Sequence, residues 1–195
     1  MSAVSPFVRV GARERQRQET RSRLFDAALA EFASVGFDRA SVADIARAAG
    51  VSRPSFYFHF PTKEHVLFEL QWRQELEIVE RLRRCRTLAE ALRELPDALV
   101  DALESVGDAE LARDTARIYA RRPGELPVDE QPLPLLHEVV RLFQEGARRG
   151  ELRAGLTAEQ GALLFLTGVF GYVMAADPQQ DRRADLRALT ALYLA

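Results

Sequence analysis

The chain has one cysteine, one lysine, three isoleucines and no asparagine among its 195 residues. A lone cysteine, Cys85, excludes an internal disulfide and fits a reducing cytoplasm. Flanked by Arg83, Arg84 and Arg86, its thiol would ionise more readily if exposed, which leaves a redox role open beside the plainer one of an inert helix-end cysteine. Lysine is confined to Lys63, against 26 arginines, a bias that reads as the codon usage of a GC-rich genome. Long hydrophobic runs are missing as well. The longest weakly polar stretch, residues 161–176, is short of the roughly 20 apolar residues that cross a bilayer, and three glycines dilute it. The first twenty residues carry Arg9, Arg13, Arg15 and Arg17 and no apolar segment of signal-peptide type, so a cytoplasmic protein with no membrane partner is expected.

Strand patterns are nearly absent. Apolar residues recur at spacings of three and four, which predicts an all-α fold of about nine helices. The 47% hydrophobic content is ample for a core. The net charge of −2 conceals an asymmetry: residues 1–63 hold ten basic and six acidic side chains, the remainder seventeen and twenty-three. A basic head on an acidic body suits a polyanion partner at one end only.

The pattern divides the chain into a basic tail over 1–19, a helix-turn-helix domain over 20–65 and a helical body over 66–195. The tail is read as mobile, or alternatively as a basic arm for phosphates or a minor groove. A first helix is expected over 20–35, stopped by Gly36. A second starts at Ser41, with Ser41 and Asp44 as a capping box, and Gly50 provides the turn. A third starts at Ser52, with Phe56 and Phe60 turned inward, and ends at Pro61; Thr62 caps a fourth over 62–84. Further helices are expected over 87–105, kinked or broken near Pro96, then 108–121, 134–149, 157–175 behind a Thr157–Gln160 capping box, and 181–194; proline-rich 122–134 reads as a loop.

A helix that reads duplex DNA needs apolar anchors on one side and hydrogen-bonding or short groups on the other. Residues 52–60 have that pattern. Arg53 can offer two hydrogen bonds to a guanine edge, Ser55 is short enough for a base edge or close backbone approach, and Phe58 can pack on a thymine methyl, with Pro54 beside them. Tyr57 and His59 carry donors suited to phosphate. Ser41 and Lys63 lie at helix starts, where free N–H groups attract anions, and Lys63 adds a point charge.

With those residues, the stretch from about Arg21 to Leu67 resembles the TetR family of bacterial transcriptional regulators. The likeness lies in Ala27-Ala28 through Phe32, Gly36-Phe37, the run from Ser41 to Ala46, Ala49 to Ser52, Tyr57 to Phe60, and Lys63-Glu64. It departs at Pro54, where family members often carry glycine, and at Phe58, where they often carry a polar or larger aromatic group. The resemblance implies a three-helix DNA-binding head, a helical body that binds ligand and dimerises, and DNA contacts by Ser41, Arg53, Ser55, Tyr57, His59 and Lys63.

In the body, Phe68, Trp72, Tyr119, Phe143, Phe165 and Tyr172 are candidates to line an apolar cavity, although aromatics at helical spacing commonly fill a core. Leu163, Leu166, Phe170, Leu186, Leu189 and Tyr193 are candidates for a dimer interface, because the penultimate helix is apolar nearly all round. His59, His65 and His137 lack metal-ligand spacing, and no phosphate loop or nucleophile elbow is present, so no metal, cofactor or catalytic residue is expected. The reading is a dimeric repressor of a palindromic operator, released by a small, hydrophobic molecule that tilts the fourth helix. An effector-independent architectural DNA-binding protein and a helical enzyme with an accidental helix-turn-helix are the alternatives.

Overall fold

In the computed structural model, residues 11–105, 111, 134–175 and 181–194 are described, without the side chains of 173 and 174. Of the expected helix over 108–121 only Leu111 is among these residues, and of the loop after it only Pro134; Tyr119 lies outside them. Eight helices are described: α1 Ala12–Val35, α2 Val42–Ala48, α3 Arg53–His59, α4 Glu64–Leu82, α5 Leu88–Ser105, α6 Pro134–Arg148, α7 Ala158–Ala175 and α8 Arg182–Thr190. The fold is all-α; among the described residues the one bridge of β type joins Leu152 to Leu194. Contacts divide the chain into two compact units, 1–66 and 67–195.

In the first unit, the spacing of Leu24, Ala28 and Phe32 puts three buried residues on one face of α1, with Phe25 beside them. Ile45 and Ala46 of α2 and Phe56 of α3 are also buried, and Phe60 follows at the end of α3. Each large apolar side chain withdrawn from water contributes about 2 kcal/mol. Gly50 has φ +68°, a left-handed turn that a side chain resists, and so turns α2 into α3.

Three local expectations are corrected. Helix α1 starts at Ala12, not near Thr20, so residues 12–19 are helical and exposed. Ser41 is the N-cap of α2 by backbone conformation, but its hydroxyl makes no capping bond. Asp44 instead pairs with Arg47 at 2.5 Å, one turn ahead on the same helix. Thr62 bonds the Nδ1 of His65 at 3.0 Å, and α4 begins two residues later, at Glu64.

In the second unit, α5 packs on α8, α6 on α7 and α7 on α8. Their buried cluster includes Leu88, Leu95, Leu142, Phe143, Phe165, Val169 and Leu186. Helix α5 continues through Pro96, so of the expected kink or break the break does not occur; Pro96 is itself buried. The capping box before α7 forms in both directions: Gln160 N–H donates to Thr157 Oγ1 at 3.2 Å, and Thr157 N–H to Gln160 Oε1 at 3.1 Å. Gly161 matters by its lack of a side chain, since a Cβ there would stand 2.7 Å from the Phe143 ring. No described helix is long and apolar enough to cross a membrane.

Candidate nucleic-acid interface

Ser52 caps α3 by accepting from the Ser55 N–H at 3.4 Å, and Pro54 occupies the first turn, where its missing N–H costs nothing. Phe56 and Phe60, four apart, are fully buried and 5.8 Å apart between ring centres. The opposite face therefore turns to solvent. Arg53, Pro54, Tyr57 and Phe58 are exposed, Phe58 at 68%, while Ser55 is half-buried. Arg53 lies over the Tyr57 ring at 5.7 Å, with Nη2 3.4 Å from its hydroxyl, so one flank of α3 presents a guanidinium held by an aromatic stem.

Two other residues of the motif are engaged within the unit. His59 is buried, at 8% exposure, and its ring meets Phe58 edge-on at 5.2 Å. Its carbonyl accepts from the Arg21 guanidinium. Burial, then the charges of Arg21 and Arg17, hold the His59 ring below the usual histidine range, so it is neutral near pH 7. Its Nδ1 is buried without a hydrogen-bond partner. Lys63 donates to three carbonyls of the α1–α2 turn: Phe37 at 2.9 Å, Asp38 at 3.3 Å and Ala40 at 2.9 Å. Its ammonium also stands 4.9 Å from the Phe37 ring centre. An ammonium has three hydrogens, and here all three point into the protein. Ser41, at the start of α2, is half-buried. The exposed arc thus gathers Arg53, Pro54, Tyr57 and Phe58, with Ser55 at its edge, while the His59 ring is buried and Lys63 is bonded to internal carbonyls.

In the second unit, the described pocket candidates sit in different surroundings. Phe143 and Phe165 are fully buried, 6.0 Å apart, and both meet Tyr193 edge-on. Tyr172 donates to Asp185 at 2.7 Å. Phe68 and Trp72 are half-buried on α4, and the indole N–H of Trp72 is buried without an acceptor. Nearby on α4, Glu75 accepts from Gln71 at 3.1 Å and from the Leu135 N–H at 3.2 Å. Burial pushes the Glu75 carboxyl above its usual range, against the opposing pull of those two bonds. Sequence reasoning missed Glu75, because a glutamate within a charged helix carries no mark of burial.

A groove of about 790 Å³ opens elsewhere, lined by charged residues among them Arg84, Arg93, Glu94 and Arg187, with Cys85; none of the five described candidate aromatics lines it. The Cys85 thiol is pushed up by burial and by Glu94 and Glu90, the reverse of what its arginine neighbours in sequence suggest. The thiolate that a redox sensor needs is therefore disfavoured.

Of the dimer candidates, Leu186 and Tyr193 are buried in the protomer's own core, and Leu166, Phe170 and Leu189 are half-buried. Leu163 is 62% exposed, and Leu164 beside it 53%. Among the described residues no group of three or more His, Cys, Asp or Glu is placed to hold a metal.

The family model for bacterial regulatory proteins of the tetR family matches residues 24–70, the stretch that contains α2 and α3. The chain is 31% identical over 194 residues to the HTH-type transcriptional regulator AcrR of Shigella flexneri, covering 93% of this chain and 90% of that one. Among solved structures, it resembles Thermus thermophilus FadR, a TetR-family transcriptional repressor in complex with lauroyl-CoA. The TM-score is 0.68 and the identity 26%, over 88% of this chain and 92% of that one. FadR of Bacillus halodurans, a fatty acid degradation regulator, shares the fold at 22% identity, with a TM-score of 0.67 over 89% and 93%. A match along nearly the whole chain sets aside an accidental helix-turn-helix in an enzyme. With its recognition helix, its all-α body and these relatives, the chain belongs to the TetR family of bacterial transcriptional regulators.

Proposed function

We propose that the protein is a cytoplasmic, dimeric repressor that binds a palindromic operator through α3 and is released by a small organic ligand. The observation that carries the reading is the outward arc of α3. Arg53, Tyr57 and Phe58 stand exposed over an anchor of Phe56 and Phe60. Arg53 reads a guanine edge; Ser55 and Phe58 contact a base edge and a thymine methyl. Pro54 shapes the start of the helix, and Tyr57 positions Arg53 and reaches phosphate. Ser41 completes the candidate contacts; of the two other residues that the family likeness offers, His59 has its ring buried and Lys63 gives its ammonium to three carbonyls of the head, so both are assigned structural places instead.

A single head reads few base pairs, so two heads about one helical turn apart, roughly 34 Å, would span a palindrome. Leu163 and Leu164, exposed on α7, supply the apolar surface for a second copy, with Leu166, Phe170 and Leu189 at its margin. The ligand reading draws on Phe68 and Trp72, with the unpartnered indole N–H as its polar handle. The related FadR structure with lauroyl-CoA gives a precedent for a ligand of largely apolar character. Packing of Phe143 and Phe165 against Tyr193 favours, at that place, the effector-independent alternative.

Selection of binding sites from random duplexes tests the reading. A palindromic consensus, bound by two copies, is expected; a consensus without symmetry, or none, rejects it. Small molecules screened for release from that site then separate a ligand-responsive repressor from an architectural protein.

A further inference from the structure

The first three turns of α1 lie outside the stretch that the family model matches, which begins at residue 24. Residues 12–19 are all exposed, so packing does not hold this end of the helix. Glu14 suits the first turn, but Arg13 and Arg17 put positive charge at the end where the helix dipole is already positive. The dipole therefore gives no reason for Arg13 and Arg17.

Their spacing is informative. Arg13, Arg17 and Arg21 recur every four residues, on the face that continues inward as Leu24, Phe25 and Ala28. Each meets α3 or extends beyond it in turn. Arg21, the innermost, donates to the His59 carbonyl and stacks over Phe60, 4.2 Å from the ring centre. Arg17, one turn out, stands over Phe58 at 5.3 Å. Phe58 is two residues from both Phe56 and Phe60, about 200° round the helix, and so occupies the outermost line of α3. Arg13 follows one turn further out, exposed.

We propose that Arg17 and Arg13 form a phosphate-binding extension of the recognition surface, with Phe58 as the platform that holds Arg17. The proposal rests on the reading of α3 as the DNA-reading helix. A guanidinium stacked on a ring keeps its in-plane N–H donors free, and that fork matches two oxygens of one phosphate. Stacking also shelters part of an exposed phenyl ring and restricts a long side chain before DNA arrives. The partner is the sugar–phosphate backbone beside the base pairs that α3 reads. Phosphate contacts set register without reading sequence.

The test measures affinity of the full chain against salt concentration, on the selected operator and on random duplex. Arg13→Gln, Arg17→Gln and the double variant are compared with the parent, with circular dichroism to confirm folding. Each neutralised contact is expected to lower the slope of log affinity against log salt by about 0.9 per bound copy, and the double variant by nearly twice that, so two copies on the operator double both changes. Operator and random duplex should weaken by the same factor. Phe58→Ala should weaken the parent, and Arg17→Gln should then cost less in that background. An unchanged slope in the double variant, beside a salt-dependent parent, overturns the extension and leaves the α3 reading intact. A selective loss on the operator overturns the phosphate assignment, and strict additivity of Phe58→Ala and Arg17→Gln overturns the platform. A parent with no salt-dependent binding removes the α3 reading and this proposal together.

Discussion

The ammonium of Lys63, at the foot of α4, donates a 2.9 Å hydrogen bond to the carbonyl of Ala40, just before α2. With its bonds to Phe37 and Asp38, it ties the turn between α1 and α2 to the start of α4. Sequence reasoning gives Lys63 to a phosphate; the geometry commits its three hydrogens to the protein. Lys63→Ala is therefore expected to destabilise the head by about 2 kcal/mol, the scale of hydrogen bonds from a charged donor, seen as earlier urea unfolding. The salt slope of DNA binding should stay within error of the parent. A slope lower by about one per bound copy would restore Lys63 to the phosphate backbone.

Arg53 makes the complementary case. It is exposed and its one aromatic neighbour, Tyr57, supports it without blocking its fork. Arg53→Ala is expected to cost about 1–3 kcal/mol at a single base pair while other positions keep their preferences, as read from a panel of singly mutated operators. Tyr57→Phe keeps the ring but loses both the 3.4 Å contact from Arg53 and the hydroxyl proposed to reach phosphate, so a smaller weakening, similar across the panel, is expected. Uniform weakening across the panel by Arg53→Ala would move Arg53 to the backbone.

The contrast between these residues shows what the sequence makes legible. Periodicity is a local property, so Phe56 and Phe60 as anchors, Gly50 as the turn and the Thr157–Gln160 box follow from spacing alone. The partners of Lys63 lie 23 to 26 residues away, and those of His59 include Arg21, 38 residues away. No local pattern encodes them. The helical start at Ala12 is hidden for another reason: residues 12–19 have no apolar face, and an apolar face is what the pattern detects. Of the body's aromatics, spacing cannot separate Phe143 and Phe165, packed on Tyr193, from Trp72, whose indole N–H lacks a partner.

Glu75 predicts a pH effect of definite sign. Burial raises its folded pKa above the ordinary 4.5, so the folded protein holds this proton more tightly than the unfolded chain. Stability from that proton is fully present below the ordinary value and is lost as pH rises through the raised folded value. Glu75→Gln removes the titration and keeps an acceptor for Gln71 or Leu135. The difference in melting temperature between variant and parent should shift in the variant's favour as pH rises from 4 to 7. A difference that stays constant with pH would show that Glu75 is ionised at no cost in the folded body.

Leu163 tests the assembly without disturbing the protomer. At 62% exposure it contributes little to its own core, whereas Leu186, also on the candidate surface, is buried and would report misfolding instead. A carboxylate introduced by Leu163→Glu would have to be desolvated at any apolar interface between copies, at a cost of several kcal/mol. Sedimentation should then show a monomer with the parent's helical content and melting cooperativity. Operator affinity should fall towards that of one half-site, since two heads no longer bind as a unit. Retention of the dimer by Leu163→Glu, with Leu164→Glu behaving alike, would place the contact between copies on another face of the body.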